Sequence, residues 1–251
     1  MEFRTKPIEV NEEEFYLYLK YGGFPVVHHL DYNEELIFQY LNSLYSTILL
    51  KDIISRYAIR NIPVFENITK YIFDNIGNIF SGRSISNYMK SQNITMGLDT
   101  LQNYLQYLEN SFIINKVKRY DLKGKRILDI YEKYFLSDIG LKNAMYGYKE
   151  NDIAGLLENI VYIKLKQSNY QVFIGKIDEY EIDFVAERNN EKIYIQVAYM
   201  LNNQSTIDRE FFALKQIKDN YPKYVLSMDK YQTTNNEGII RMNIIEFLTK
   251  F

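Results

Sequence analysis

Apolar residues recur at spacings of three and four through much of the first hundred residues, and at spacings of two in several later stretches. The first period belongs to amphipathic helices, the second to half-buried strands. Glu14 to Tyr21 reads as a short helix, stopped by Gly22-Gly23 and turned by Pro25. From Asn33 a longer helix carries Leu36, Tyr40, Leu44, Ile48 and Leu49 toward Ile53. Pro63 breaks that run. Phe65, Ile68, Ile72 and Ile76 line a further helix, which Gly77 closes. Ser84 is available to cap a short helix through Lys90. A third helix places Leu98, Leu101, Leu105 and Leu108 on one stripe, with Asp99 near its start.

Alternation then takes over. Phe112 to Tyr120, the turn Asp121-Leu122-Lys123-Gly124, and Arg126 to Tyr131 read as a β-hairpin. Three helices followed by a hairpin is the winged-helix order. Tyr134 to Gly147 holds a short helix that bridges onward, and charged residues interrupt the apolar pattern near Lys149-Asp152. Beyond that point the pattern predicts a helix from Ile153 to about Gln167. Strands follow at Gln171–Ile174, Glu181–Glu187 and Lys192–Tyr199, then a helix at Ser205–Asn220 and a strand at Tyr224–Met228. A further strand at Gly238–Asn243 and a closing helix at Ile244–Phe251 complete the chain. The expected class is α+β. A helical lead-in spans 1–62, a winged-helix-like domain 63–149, and an α/β domain of order α-β-β-β-α-β 150–251. The opening MEFRTKPIEV is charged, contains Pro7, and reads as extended.

Composition narrows the chemistry. The 251 residues are 47% hydrophobic and 25% charged, values of a folded chain, with a net charge of −2. No global basic field draws such a molecule to nucleic acid, so contact with it would need a local patch. The absence of cysteine excludes disulfides, thiolate zinc sites and cysteine nucleophiles, and fits a cytoplasmic location. No apolar run approaches the ~20 residues of a membrane span. Most of the 24 tyrosines read as packing residues. His28-His29 are adjacent, diverge on a helix and have no third ligand nearby in sequence.

One constellation could carry chemistry. Glu181 and Asp183 lie on one face of a strand, a short turn leads back to Gln196, and Glu158 can reach them from the preceding helix. Converging carboxylates can hold Mg²⁺, which polarises a phosphate and activates water; a lysine beside them stabilises developing charge. The arrangement resembles the restriction-endonuclease fold, whose third strand carries Glu-x-Lys or Gln-x-Lys. Here Glu158, Asp183 and Gln196 are the candidate catalytic residues, with Asp183 and Glu158 the candidate metal ligands. Ala198 stands where the lysine belongs, and only Lys192 or Lys176 lies near enough in sequence to replace it. Losing a positioned charge-stabilising group costs on the order of 10²–10³ in rate.

Several spaced motifs occur in order: Gly22-Gly23-Phe24-Pro25, Asn75-Ile76-Gly77-Asn78 followed by Ser84-Ile85-Ser86, Tyr120-Asp121, Ser137-Asp138-Ile139-Gly140-Leu141, Leu157-Glu158-Asn159, Glu181-Ile182-Asp183-Phe184 and Ile195-Gln196-Val197. Together they resemble the C-terminal portion of prokaryotic AAA-type ATPases carrying the domain of unknown function numbered 4143. The resemblance implies a winged-helix-like part, an endonuclease-like part whose third strand often ends Glu-Val-Lys, and an upstream P-loop ATPase that would bind ATP. This chain shows no credible P-loop. Gly77 to Ser84 has the spacing, but it follows a helix and carries Arg83 in place of lysine.

The expected function is therefore an accessory ATPase module with a degenerate nuclease-like domain that binds DNA or a partner protein without efficient catalysis. An active Mg²⁺-dependent nuclease and a pure protein-interaction module are the alternatives. Any DNA contact falls to Lys116, Lys118, Arg119, Lys123, Lys125 and Arg126 on the wing. The recognition-helix candidate, Asp99 to Asn110, offers only Gln102, Asn103, Gln106 and Glu109.

Overall fold

The structure, a computed structural model, describes residues 11–230 and 233–251. The extended lead-in expected at residues 1–10 lies outside the described residues. A mostly helical N-terminal part precedes an eight-stranded mixed sheet, giving a mixed α/β protein.

Helix α1 (Glu12–Tyr21) is held at its start by a reciprocal capping box. The Asn11 side chain accepts the Glu14 N–H at 2.8 Å, and the Glu14 carboxylate accepts the Asn11 N–H. Helix α2 (Val26–His29) and helix α3 (Glu34–Thr47) follow, and α3 runs on into a π-helical stretch, Ile48–Ser55. Helix α4 (Ile62–Asp74) has its Pro at N1/N2, where a missing N–H costs nothing. Helix α5 (Gly82–Ser91) is capped by Ser81 rather than Ser84. Ser84 occupies the third helical position and completes the box from inside, because the extended residue before the first turn is the one whose oxygen reaches back. Helix α6 (Leu98–Asn110) buries Leu101, Tyr104 and Leu108.

Strands β1 (Ile114–Asp121) and β2 (Arg126–Leu136) form the expected hairpin, but β2 continues five residues past Tyr131. Then come α7 (Ile139–Tyr146), α8 (Ile153–Gln167), β3 (Gln171–Ile177), β4 (Tyr180–Arg188) and β5 (Glu191–Val197). Helix α9 (Gln204–Lys215), β6 (Lys223–Ser227), β7 (Thr234–Asn236), β8 (Ile239–Asn243) and α10 (Ile244–Lys250) complete the order. The order runs as the alternation foretells, except that α9 is shorter and β7, three polar residues, has no apolar signature.

The strands run β2-β1-β3-β4-β5-β6-β8-β7 across the sheet. β1 pairs antiparallel with β2 on one edge and parallel with β3 on the other, with Arg119 opposite Ile174. The hairpin expected to stand as a wing is thus part of the main sheet, which crosses the boundary expected at 149/150. A strand has two hydrogen-bonding edges, and the second edge of β1 is satisfied by β3. One face of the sheet packs with α8, α10 and the N-terminal helices; Phe184, Ala186, Ile193 and Ile195 belong to that core. The other face, with Ile182, Val185 and Tyr194, packs under Phe211 and Leu214 of α9.

Two separated glycine motifs meet at α7. The buried Asp138 carboxylate accepts the Gly23 N–H at 2.8 Å and the Gly140 N–H at 2.7 Å. Gly22 sits at φ 77°, and a Cβ there would fall 2.0 Å from Asp138 Oδ1. One on Gly140 would fall 2.1 Å from the Tyr21 carbonyl oxygen. Asn143 donates to the carbonyls of Leu19 and Lys20, and Lys142 pairs with Asp152. These contacts fasten α1 to α7 and so to the sheet.

Candidate functional site

The side chain that organises the site is Lys133, on the part of β2 that extends beyond the expected hairpin. Its ammonium lies 3.0 Å from Glu158 Oε2, 2.7 Å from Glu181 Oε1 and 3.6 Å from Asp183 Oδ1, and only 3% of the side chain is exposed. Three elements distant in sequence supply these groups: β2 the ammonium, α8 Glu158, and β4 the other two carboxylates.

Local geometry explains how they converge. Asn159, next to Glu158 on α8, accepts the Leu136 N–H at 2.7 Å and donates to the Leu136 carbonyl at 2.9 Å. This pair fixes the end of β2 to α8 and brings Lys133 to Glu158. On β4, the register against β3 slips between Phe173 and Gly175, so Asp183 and Phe184 together oppose Ile174. Such a bulge re-aims a side chain locally. The Asp183 carboxylate accepts the Val197 N–H at 2.8 Å, and its own N–H donates to Gln196 Oε1 at 3.2 Å. From above, Gly77, at φ 76°, passes so close that a Cβ would lie 3.2 Å from Glu158 Oε2. Residues 77–80 also cover part of the β2 edge, through Phe80 N–H to Glu132 carbonyl at 2.8 Å and an Ile79–Lys133 bridge.

The electrostatics follow from burial and like charge. Burial pushes Glu158 up to about 8, helped by the neighbouring Asp183 and opposed by Lys133. Burial likewise raises Asp183 to about 6, against the pull of Lys133 and the Val197 hydrogen bond. For Lys133, burial disfavours the charge, but Glu158, Asp183 and Glu181 together outweigh it and hold the pKa above the ordinary lysine value. Lys133 thus keeps its charge, while burial disfavours ionisation of Glu158 and Asp183 beside it.

The structure brings the expected Glu158, Asp183 and Gln196 together. Glu181, read from the sequence on the same strand face as Asp183, joins them with its Oε2 buried and without a hydrogen-bond partner; the addition is Lys133, which the strand boundary drawn at Tyr131 hid. One signal was present: a lysine inside the apolar run Tyr131 to Leu136. Lys192 does not take the place of the lysine missing at Ala198. Lys192 pairs with Glu187 at 2.8 Å, and Ala198 itself packs into the core under α9. Among the described residues, no group of three histidine or acidic side chains is arranged to hold a metal ion. The three carboxylates point at Nζ, so these residues do not fit a resident Mg²⁺ at Asp183 and Glu158.

The basic wing is largely neutralised from within. Lys116 pairs with Glu132 at 3.0 Å, Lys118 with Asp129 at 3.2 Å, and Lys123 with Asp178 at 2.6 Å. Arg126 lies 3.9 Å from Asp121, and Arg119 rests over the Tyr131 ring. Lys125 is exposed at the turn. On α6, Gln102, Asn103 and Gln106 are exposed, and Gln106 donates to Asn110. His28 shares a hydrogen bond with the Tyr32 hydroxyl at 2.8 Å. The P-loop-like segment follows α4 and opens the ten-residue α5. An apolar groove between α1 and α8, lined by Phe15, Tyr18, Val27, Ile160 and Leu248, shares no residue with the carboxylate cluster. Among the described residues, no helix is long and apolar enough to cross a membrane.

Residues 12–152 match the family described as "Domain of unknown function (DUF8612)", more than half of the chain, and the chain belongs to that family. An "Uncharacterized protein" of Haemophilus influenzae is 36% identical over 231 residues, which is 92% of this chain and 56% of that protein. "Uncharacterized protein MJ1544" of Methanocaldococcus jannaschii is 29% identical over 255 residues, 96% of this chain and 54% of that protein. The chain thus spans about half the length of the curated relatives it matches. The matched family segment contains Lys133 but stops short of Glu158, Glu181 and Asp183, so the cluster straddles its end.

Proposed function

We propose that the chain is an accessory binding module of an AAA-type ATPase, and that its C-terminal part is a restriction-endonuclease-like domain whose catalytic site has become a structural ion-pair hub. The observation that carries this reading is the buried Lys133 ammonium, held by all three carboxylates at once. A lysine that serves phosphoryl chemistry needs its charge directed at substrate; here the charge is consumed inside the fold. The helices α4 to α6, which contribute no side chain to the carboxylate cluster, support a docking role rather than a cutting one. So does the internal neutralisation of Lys116, Lys118 and Lys123, which points to a protein partner in preference to DNA. The spaced motifs support the ATPase association, and the additional length of the relatives leaves room for it.

The deciding experiment incubates the purified chain with single- and double-stranded DNA and RNA in Mg²⁺ or Mn²⁺. No cleavage is expected from the native chain. Cleavage that Asp183→Ala abolishes would replace this reading with that of an active nuclease in which Lys133 supplies the missing lysine from a different strand.

A further inference from the structure

The edge of the sheet formed by β2 offers a second feature, separate from the carboxylate cluster. Among the described residues β2 is the terminal strand, and β1 is the one strand of the sheet that it pairs with. In an antiparallel pair, alternate residues turn their N–H and C=O away from the partner. Over residues 132–134 those outward groups are met by the chain itself: Phe80 N–H reaches the Glu132 carbonyl, Gly77 N–H the Tyr134 carbonyl, and Ile79 bridges Lys133. The molecule thus already adds an extended segment to this edge. Over residues 126–131 no described segment does so.

Edges are usually blunted by charge or by bulges, and this one has both. β2 bulges where its register against β1 slips, residues 129–132 standing against Lys118 alone. Yet the same stretch exposes Ile127 at 46%, Ile130 at 61% and Tyr131 at 46%, with Ile79 at 41% beside it. Blunting does not call for exposed isoleucines; recognition of a strand with apolar side chains does. The charge sets the partner's sign. Lys116, Lys118 and Lys123 are held by neighbouring carboxylates and Lys133 is buried, so the exposed cations of this strand pair are those at its turn. Lys125 and Arg126 flank the start of the open segment.

We infer that the open stretch of β2 at residues 126–131 binds an acidic, extended peptide segment of a partner protein, by strand addition at 126–128 and by side-chain contact at the adjoining bulge, where Tyr131 sits at φ 65°. Ile127, Ile130 and Tyr131 meet its apolar side chains, and Lys125 and Arg126 meet its carboxylates. A peptide fits better than nucleic acid, because the exposed isoleucines contribute nothing to phosphate contact. This rests on the reading of the chain as a binding module and specifies its partner's chemistry.

The test pans a phage-displayed library of random dodecapeptides against the full chain. Selected sequences should be acidic and rich in β-branched residues. Synthetic copies should bind the native chain, lose at least tenfold in affinity with Ile127→Asp/Ile130→Asp or with Lys125→Glu/Arg126→Glu, and slow amide exchange at 126–128. Each of these side chains is exposed, so the variants should fold, and unchanged thermal unfolding confirms it. No enrichment, enrichment without acidic bias, or binding indifferent to both double variants would overturn the proposal. So would binding of a 30-base-pair duplex at 150 mM salt that the charge reversal abolishes. Failure of the panning leaves the structural-hub reading untouched, since cleavage assays decide that separately.

Discussion

Asn159 and Leu136 exchange two hydrogen bonds, the side-chain amide of one serving both backbone groups of the other in a buried setting. The pair joins α8 to the end of β2 and thereby sets the distance between Glu158 and Lys133. Replacing Asn159 with leucine strands a buried N–H and a buried carbonyl, each costing about 1–3 kcal/mol. Urea unfolding of Asn159→Leu should show a loss in that range or above. A destabilisation under about 0.5 kcal/mol would mean that Leu136 finds other partners.

Lys133→Met removes the one cation from a buried set of carboxylates. Breaking a buried pair in this way costs about 3–5 kcal/mol. The loss should be largest near pH 8 and should shrink near pH 5, where protonation of Glu158 and Asp183 discharges the cluster. Denaturation at the two pH values measures it; an equal loss at both would show that the carboxylates do not titrate together with the lysine.

The native chain should itself lose stability as pH rises. Glu158 moves from an unfolded value of 4.5 to about 8, and Asp183 from 3.8 to about 6. A raised folded pKa means that the folded state binds the proton more tightly, so its contribution is full below the unfolded value and is lost as pH climbs through the folded one. Each group gives a slope of at most about 1.4 kcal/mol per pH unit within its window. Glu158→Gln should flatten the profile between pH 6 and 8, while the lower part, set by Asp183, persists. Thermal melts across pH 4 to 9 provide the comparison.

At the junction of α1 and α7, Gly22→Ala should destabilise by more than the ~1 kcal/mol expected from left-handed backbone strain, because its methyl would collide with Asp138. Asp138 is raised to about 6 by burial, against the hydrogen bonds from Gly23 and Gly140. It therefore adds to the same alkaline loss between pH 3.8 and 6, and Asp138→Asn should remove that share. Calorimetric melts of both variants test the clamp.

Much of this architecture is legible in the residues themselves. The order of elements after Ile153 follows from period and turn chemistry, because each strand there is bounded by Asn, Gly or charged residues. Glu158, Asp183 and Gln196 could be brought together because a short turn fixes β4 against β5. Lys133 could not. Its strand runs on through Glu132 to Leu136, where buried faces on both sides erase the alternation, and its partners lie 25 to 50 residues away. The pairing of β1 with β3 was hidden for a similar reason: parallel partners share no turn. The polar Thr234-Asn235-Asn236 strand carries no apolar period and is visible only through its pairing with β8.

The junction of β1 with β3 also bears on how this chain could be inherited or cut. A recombination or a protease acting near residue 150 would leave the later half with β3 as a bare margin, and with three acids parted from their counter-ion on β2. The two halves are therefore expected to travel as one unit of descent. A transplanted C-terminal half would need a substitute cation, or the loss of its acids, before it could stand alone.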